Sequence, residues 1–330
     1  MDNLTHTLSG LMLARAGFDR FTPRAAAILM VAANIPDCDT LSALSGWLNY
    51  LQYHRWITHS LLFVPATALA AVLLVAAFGW RRVRWGPAYA IAIVGVLSHL
   101  LLDWTNSYGV RLLAPVSEHW FRLDITNVVD LWILAALFLG LAGPLLARLV
   151  SAEIGAHRSS GRALAMCVLV LIAAYDFGRY LAHQRAVQVM DSRVYDGAAP
   201  LRVTAIPGAA DPFVWRGVVE TSSFVSILPV DLLGDFDPAA GQIFYKPEPG
   251  AAIAAARRTE VFRKFLAFSQ LPFWAVAPAV GGDGSVRVEV TDLRFGFPGR
   301  GFFAISALVN AAGQVEQAGG GLRGFTRGKD

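Results

Sequence analysis

Long apolar runs and short polar interruptions divide this chain into two unlike parts. Four stretches, about 61–80, 86–106, 128–148 and 163–182, hold enough apolar residues to span a bilayer, since a crossing needs about 20 of them. Two shorter apolar segments, about 4–17 and 23–35, fall below that length and are expected to pack as helices against the full spans. After His183 the pattern changes. Phe213–Glu220 and Val286–Val290 are rich in β-branched residues and bounded by Gly, Pro and Asp, which predicts strands. Residues 251–269 suit a helix, and a Gly-rich tail from about 318 is expected to be disordered. The pattern therefore predicts a mainly α fold. A polytopic helical membrane bundle of four full spans plus two short N-terminal helices occupies 1–182, and an extra-membrane α+β domain occupies 183–330. No internal repeat is visible.

Composition agrees with a bilayer as part of the solvent. Of 330 residues, 55% are apolar and 16% charged, against about 45–50% and about 25% in ordinary soluble domains. The net charge of +4 is mild, and no basic block with interleaved aromatics points to nucleic acid. The two cysteines, Cys38 and Cys167, make a disulfide framework a poor reading. No basic segment followed by an apolar core opens the chain, so insertion is expected to rely on internal spans. Arg15, Arg20, Arg24, Arg81, Arg82, Arg84, Arg148, Arg158 and Arg162 fall between alternate apolar segments. The positive-inside bias puts them in the cytoplasm. The opposite loops carry Arg55, Arg111 and Arg122, while Arg179 and Arg185 follow the last span on that outer side.

The polar interruptions carry the chemistry. They are Thr5-His6; Asn34-Ile35-Pro36-Asp37-Cys38-Asp39; His54-Arg55-x-x-Thr58-His59-Ser60; Ser98-His99-x-x-x-Asp103-x-x-Asn106; and Asp130 at the head of a span. If helices alternate in direction, all five meet at the outer rim of the bundle. His99 and Asp103 are spaced i,i+4 and share a helix face. Ionisable groups inside a span are costly and usually functional, so this pair is the hardest to explain as packing. Imidazole with carboxylate suits zinc or a similar divalent cation. The candidate ligands are His6, Asp37, Asp39, His54, His59, His99, Asp103 and Asp130, more than one tetrahedral ion uses. One or two ions with supporting and base residues are expected.

Each element also has a plain structural reading. His6 at a helix start can be a cap, Asp37-x-Asp39 after Pro36 can be turn chemistry, and His54 and His59 can be interfacial. His119, His157 and His183 read as loop or interfacial residues. Asp124 fits a polar loop, and Asp176 fits a pair with Arg179 one turn away. Trp80, Trp85, Trp104, Trp120 and Trp132 sit near span ends, as interfacial tryptophans do.

Taken in order, Asp2-x-x-Thr5-His6 with Gly10, Asn34-x-Pro36-Asp37-x-Asp39, His54-Arg55-x-x-Thr58-His59-Ser60 and His99-x-x-x-Asp103-x-x-Asn106-x-Tyr108-Gly109 resemble the YdjM-type inner-membrane predicted metal-dependent hydrolases. That family is linked to the LexA regulon. The resemblance covers about residues 1–180 and implies a metal role for His6, Asp37, Asp39, His54, His59, His99 and Asp103, with Asp130 a weaker match. The site is also similar in flavour to zinc-dependent phospholipase C. The expected activity is hydrolysis of an ester or phosphoester in an amphiphilic, lipid-like substrate at the periplasmic face of a bacterial inner membrane. A divalent ion lowers the pKa of a coordinated water from about 15.7 towards about 7. His59, His99 and Asp103 are the expected core ligands, and Asp37 a bridging ligand or base. Asp39 is expected to assist catalysis, and Arg55 to bind a substrate phosphate. Divalent-cation transport or sensing, and a purely structural metal, are the competing readings. Transport is disfavoured because the polar residues crowd one end of the spans.

Overall fold

The computed structural model describes residues 1–78, 83–154, 161–279 and 284–322. Trp80, Arg81, Arg82, His157 and Arg158, used above, lie outside them. Helices α1 (Asn3–Arg15), α2 (Ala25–Ala32), α3 (Trp47–Tyr53), α4 (Val64–Ala77), α5 (Trp85–Thr105), α6 (Leu131–Ile154) and α7 (Arg162–Asp191) come first. Eight strands and two helices follow. They are β1 (Arg202–Pro207), β2 (Val214–Glu220), β3 (Phe224–Asp231), β4 (Gln242–Tyr245), α8 (Ala251–Arg258), α9 (Glu260–Phe268), β5 (Pro272–Pro278), β6 (Val286–Asp292), β7 (Phe303–Val309) and β8 (Val315–Leu322).

Among the described residues, two helices, α5 and α7, are long and apolar enough to cross a membrane. Two bent pairs raise the number to as many as four: Ala25–Ala32 with Ile35–Ser45, bent by 43°, and Trp47–His59 with Leu61–Ala77, bent by 57°. The expected span at 61–80 is a shorter helix, because the polar Thr58-His59-Ser60 stretch folds as 3₁₀ turns and α4 begins only at Val64, with Pro65 in its first turn. The expected span at 128–148 starts at Leu131, and Leu131–Gly143 is its described apolar part. The outer faces of these helices are apolar. Only 22% of the apolar window of α7 is buried, and Leu139, Val170 and Leu171 stand exposed. Contiguous exposed apolar surface of this kind calls for lipid or a partner.

The chain forms two compact units. The first comprises 1–39, 55–184 and 207–213, and the second comprises 40–54, 185–206 and 214–330. In the first, α1, α2, α4 and α5 bury a core rich in alanine, including Ala32, Ala68, Ala71 and Ala92. Gly10 on α1 lies against α2 so closely that an added Cβ would fall 2.7 Å from the Leu29 carbonyl oxygen. At Gly95 on α5 it would fall 2.8 Å from Ala32 Cβ. Small residues at such crossings are what let helix backbones approach. A second cluster joins Met12, Leu102, Ile133, Leu137 and Val168 from α1, α5, α6 and α7.

The second unit holds two four-stranded antiparallel sheets, ordered β1-β2-β3-β4 and β5-β6-β7-β8. Ile206, Val218, Val225, Leu271 and Phe273 form an apolar cluster drawn from both. The helix expected over 251–269 is two, divided at Thr259, whose side chain caps α9. In the same unit α3 packs on α9, and Lys264 Nζ donates to Asn49 Oδ1 at 3.3 Å. Strand β8 reaches Leu322, so 318–322 of the expected tail are paired with β7, and 323–330 lie outside the described residues.

Candidate metal centre

The motifs build their site from local structure outward. Asp2 caps α1, accepting from Leu4 N at 3.1 Å, Thr5 N at 3.0 Å and Thr5 Oγ1 at 2.6 Å. This fixes the helix start and sets His6 one turn in. Asn34, just past α2, ties that helix to α1 by donating to Thr7 Oγ1 at 2.9 Å. The chain then leaves in 3₁₀ turns that carry Asp37 and Asp39. After α5, Asn106 Oδ1 accepts from Tyr108 N at 2.9 Å and Gly109 N at 3.3 Å. Gly109, at φ 82°, occupies the left-handed region that suits glycine.

Four side chains converge: Asp37, His59, His99 and Asp103, one donor atom of each within 4.8 Å of the others. All are buried. His59 Nε2 and His99 Nε2 are 3.1 Å apart. Asp103 Oδ2 is 3.4 Å from the former and 3.3 Å from the latter. Asp37 Oδ1 is 3.4 Å from His59 Nε2 and 3.8 Å from His99 Nε2. Zinc holds its ligands at about 2.0–2.1 Å, so the edge of a regular tetrahedron around it is about 3.3–3.4 Å. Three of these five edges match that length, whereas His59 to His99 is shorter at 3.1 Å and Asp37 to His99 is longer at 3.8 Å.

The outer nitrogens fix the tautomers. His99 Nδ1 lies 2.7 Å from the Ala33 carbonyl oxygen, which can only accept, so Nδ1 carries the proton and Nε2 presents a lone pair. His59 Nδ1 faces Asp39 Oδ2 at 3.1 Å, and the same assignment follows. That carboxylate oxygen also accepts from Arg55 N at 2.9 Å and Thr58 Oγ1 at 2.6 Å. Histidine metal ligands characteristically hand their far N–H to a carboxylate or carbonyl. With each far nitrogen donating outward, two imidazole Nε2 atoms and two carboxylate oxygens meet around one volume, as the ligands of a cation do. Asp103 Oδ2 has no hydrogen-bond donor among the described residues. Counting side chains only, Asp37, Asp39 and Asp103 face one guanidinium, and the deficit of two charges matches a divalent ion.

Arg55 is committed to the site. Its Nη2 is 2.9 Å from Asp103 Oδ1, and Nη1 donates to Gly109 O at 3.0 Å and Asn106 Oδ1 at 3.3 Å. Its guanidinium lies 4.6 Å from the Tyr108 ring centre. The Arg55 backbone is at φ 58°, a conformation a long side chain adopts only when its surroundings impose it. The Met1 amino group also meets Asp103 Oδ1.

His6 stacks on His99 with ring centres 3.8 Å apart, and its Nε2 is 3.4 Å from Asp103 Oδ1. Neither ring nitrogen makes a hydrogen bond among the described residues. Two further expected ligands are not among these four side chains. His54 belongs to the second unit and stacks on Tyr50 at 4.6 Å. Asp130 caps α6, accepting from Trp132 N at 3.1 Å, Ile133 N at 3.2 Å and the Tyr175 hydroxyl at 3.2 Å. Near the end of α7, Arg179 Nε donates to Ile125 O at 2.8 Å and its Nη1 to Pro212 O, and Asp124 pairs with Arg122 at 3.1 Å.

Sequence reasoning gave the cluster its side chains but missed the Ala33 carbonyl, which no side-chain motif can reveal. The outer roles of Thr58 and Asn106 were signalled only by their place inside the motifs.

A family model described as YdjM inner membrane protein matches residues 1–186, a range containing every residue of the cluster. The chain is also similar to the uncharacterized protein YfhP of Bacillus subtilis (strain 168), 28% identical over 157 residues, 43% of this chain and 47% of that protein. The chain thus spans about half the length of this curated relative. No solved structure matches.

Proposed function

The chain belongs to the YdjM inner membrane protein family, and from that premise we propose that it is a membrane-embedded metal-dependent hydrolase of esters or phosphoesters in amphiphilic substrates. The observation that carries the reading is the convergence of four potential metal donors, with both imidazoles oriented from outside. His59, His99 and Asp103 hold the ion in this reading, and zinc is the ion that two imidazoles and two carboxylates suit best. When bound, a divalent ion makes water acidic enough to ionise near neutral pH and polarises the substrate oxygen.

The remaining work falls to the chain. Asp37 is the cluster's most exposed member, at 6% against 0% for the other three, and it holds the longest edge. In this reading the Asp37 carboxylate, rather than completing the ligand set, receives the proton of the attacking water. Arg55 acts as a positioning residue, fixing Asp103 through Oδ1 so that Oδ2 faces the histidines. We further propose that α4 and α6 complete four crossings with α5 and α7, that the cluster lies towards the periplasmic rim, and that the C-terminal unit lies outside the bilayer. A site at that rim suits a lipid-like substrate, whose chains need not leave the membrane.

One observation favours a second reading. A closed site of four protein donors is the habit of structural zinc, and these four are buried. Elemental analysis of purified protein separates the readings when paired with turnover. Wild type is expected to hold about one ion per chain, and His99→Ala or Asp103→Ala to lose it. With metal saturating, Asp37→Asn is expected to lower hydrolysis of a model phosphodiester or phospholipid by 10²–10⁴-fold, the range for a general base. A metal-loaded wild type that hydrolyses no ester in such a screen, but melts earlier when chelated, would leave the structural reading standing.

A further inference from the structure

The second unit contains a cavity of about 440 Å³ lined wholly by its own residues. That volume lies within the range of about 300–1,000 Å³ typical of small-molecule sites. Its floor is Val218, Val225, Leu271, Phe273 and Leu293, all buried members of the apolar cluster between the two sheets. Its rim is basic, carrying Arg202, Lys246 and Arg257 with Glu220 as the one acid.

The rim charges are not equivalent. Lys246 Nζ is 2.8 Å from Glu220 Oε1 and donates to Thr221 O at 2.6 Å, so that pair is neutral overall. Arg202 makes one long hydrogen bond, to Gln270 O at 3.3 Å. Arg257 lies 5.7 Å from the Trp274 ring centre. Neither arginine has an ion-pair partner among the described residues. Two uncompensated guanidiniums thus stand at the mouth of an apolar chamber, where a forked donor best meets a phosphate or carboxylate. Pro247 and Pro249 form part of the wall, and their fixed φ keeps it stiff.

We propose that this cavity binds one single-chain anionic amphiphile, its alkyl chain on the apolar floor and its phosphate or carboxylate head on Arg202 and Arg257. The site is separate from the metal cluster and does not depend on hydrolysis. Isothermal titration calorimetry on the full chain in amphipol, in about 0.15 M salt, tests it with three probes: octyl phosphate, inorganic phosphate as head alone, and octyl glucoside as chain alone. Octyl phosphate is expected to bind at one site per chain, at least tenfold tighter than either other probe. Arg202→Gln and Arg257→Gln are both exposed changes that leave the core intact, and each is expected to weaken octyl phosphate about tenfold with metal content unchanged. Val225→Trp, which fills the chamber, is expected to abolish the site. Equal affinity for octyl phosphate and octyl glucoside overturns the proposal, as does binding that both arginine variants leave unchanged; the latter would place the phosphate at the metal.

Discussion

At His59 and His99 the nitrogen that faces away from the cluster decides what the inner one can do. Asp39 fixes the His59 ring through Nδ1, although the sequence offers Asp39 and Asp37 as equivalent carboxylates two residues apart. Asp39→Asn is therefore expected to retain the ion but weaken its affinity about 10–100-fold, measured by competition with a chromophoric chelator. An affinity equal to wild type would remove Asp39 from the support of the site. The buried pair Asp292–Arg294, with Nη2 to Oδ2 at 2.6 Å, gives a residue-scale prediction in the second unit. Burial alone would raise the Asp292 carboxyl, but the charge and hydrogen bonds of Arg294 outweigh it and hold its pKa below the ordinary value. A carboxyl depressed by folding contributes stability that is complete above its unfolded pKa of about 3.9 and drains away as pH falls through the folded value. Asp292→Asn should cost about 3–5 kcal/mol at neutral pH and flatten the acid limb of a denaturation series; a limb as steep as wild type contradicts this. His99 and Asp103 were legible because i,i+4 spacing inside an apolar run admits few explanations. Asp130 was not, because a helix head gives proximity in sequence without saying what the side chain turns towards.

At the scale of elements, the approach of α1 and α5 to α2 brings His6 against His99. Gly10 and Gly95 permit it, and a side chain at either would meet α2 within 3 Å. Gly10→Val is expected to cost about 1–3 kcal/mol through overpacking and to reduce metal occupancy. Gly178→Ala on α7, where nothing lies within 4 Å of the added carbon, should be neutral or stabilising by up to about 1 kcal/mol. Thermal melts with metal analysis test both, and equal effects at the two positions would discard the close-approach account. Hydropathy located α5 and α7 well because each stays helical and mostly apolar for a full crossing, in spite of His99 and Asp103 in the one and Asp176 and Arg179 in the other. It overran at 61–80, where the site's own Thr58-His59-Ser60 turns take up the helix start. It also divided 251–269 too little, since Thr259 is a cap hidden in a helical pattern.

Across the whole molecule, the division into units is not a division of the sequence at one point. Residues 207–213 belong with the helices: Pro207 O accepts from Asn127 Nδ2 at 3.1 Å, Ala210 O from Trp132 Nε1 at 2.8 Å, and Pro212 O from Arg179. Chain ended at 182 keeps every member of the metal cluster but loses these three bonds, each worth about 0.5–1.5 kcal/mol. Such a fragment is expected to bind metal with the stoichiometry of the full chain and to melt several degrees lower. Loss of metal from a fragment that remains folded would contradict the self-sufficiency of the first unit. A linear reading of composition could not foresee this interleaving, because hydropathy changes once, near 183, while the chain passes between units several times.

The packing of α3 on α9 sets a timetable for synthesis. About 200 residues separate the end of α3 from the start of α9, and at about 5–20 residues per second the ribosome needs about 10–40 s to deliver the partner. The metal donors are all in place once Asp103 has emerged, so the site can be loaded while α3 still waits for α9. The nascent chain therefore passes through a state that is metal-ready at one end and unfinished at the other. It is during that interval, more than in the finished protein, that residues 40–54 need shelter from proteases and from other chains.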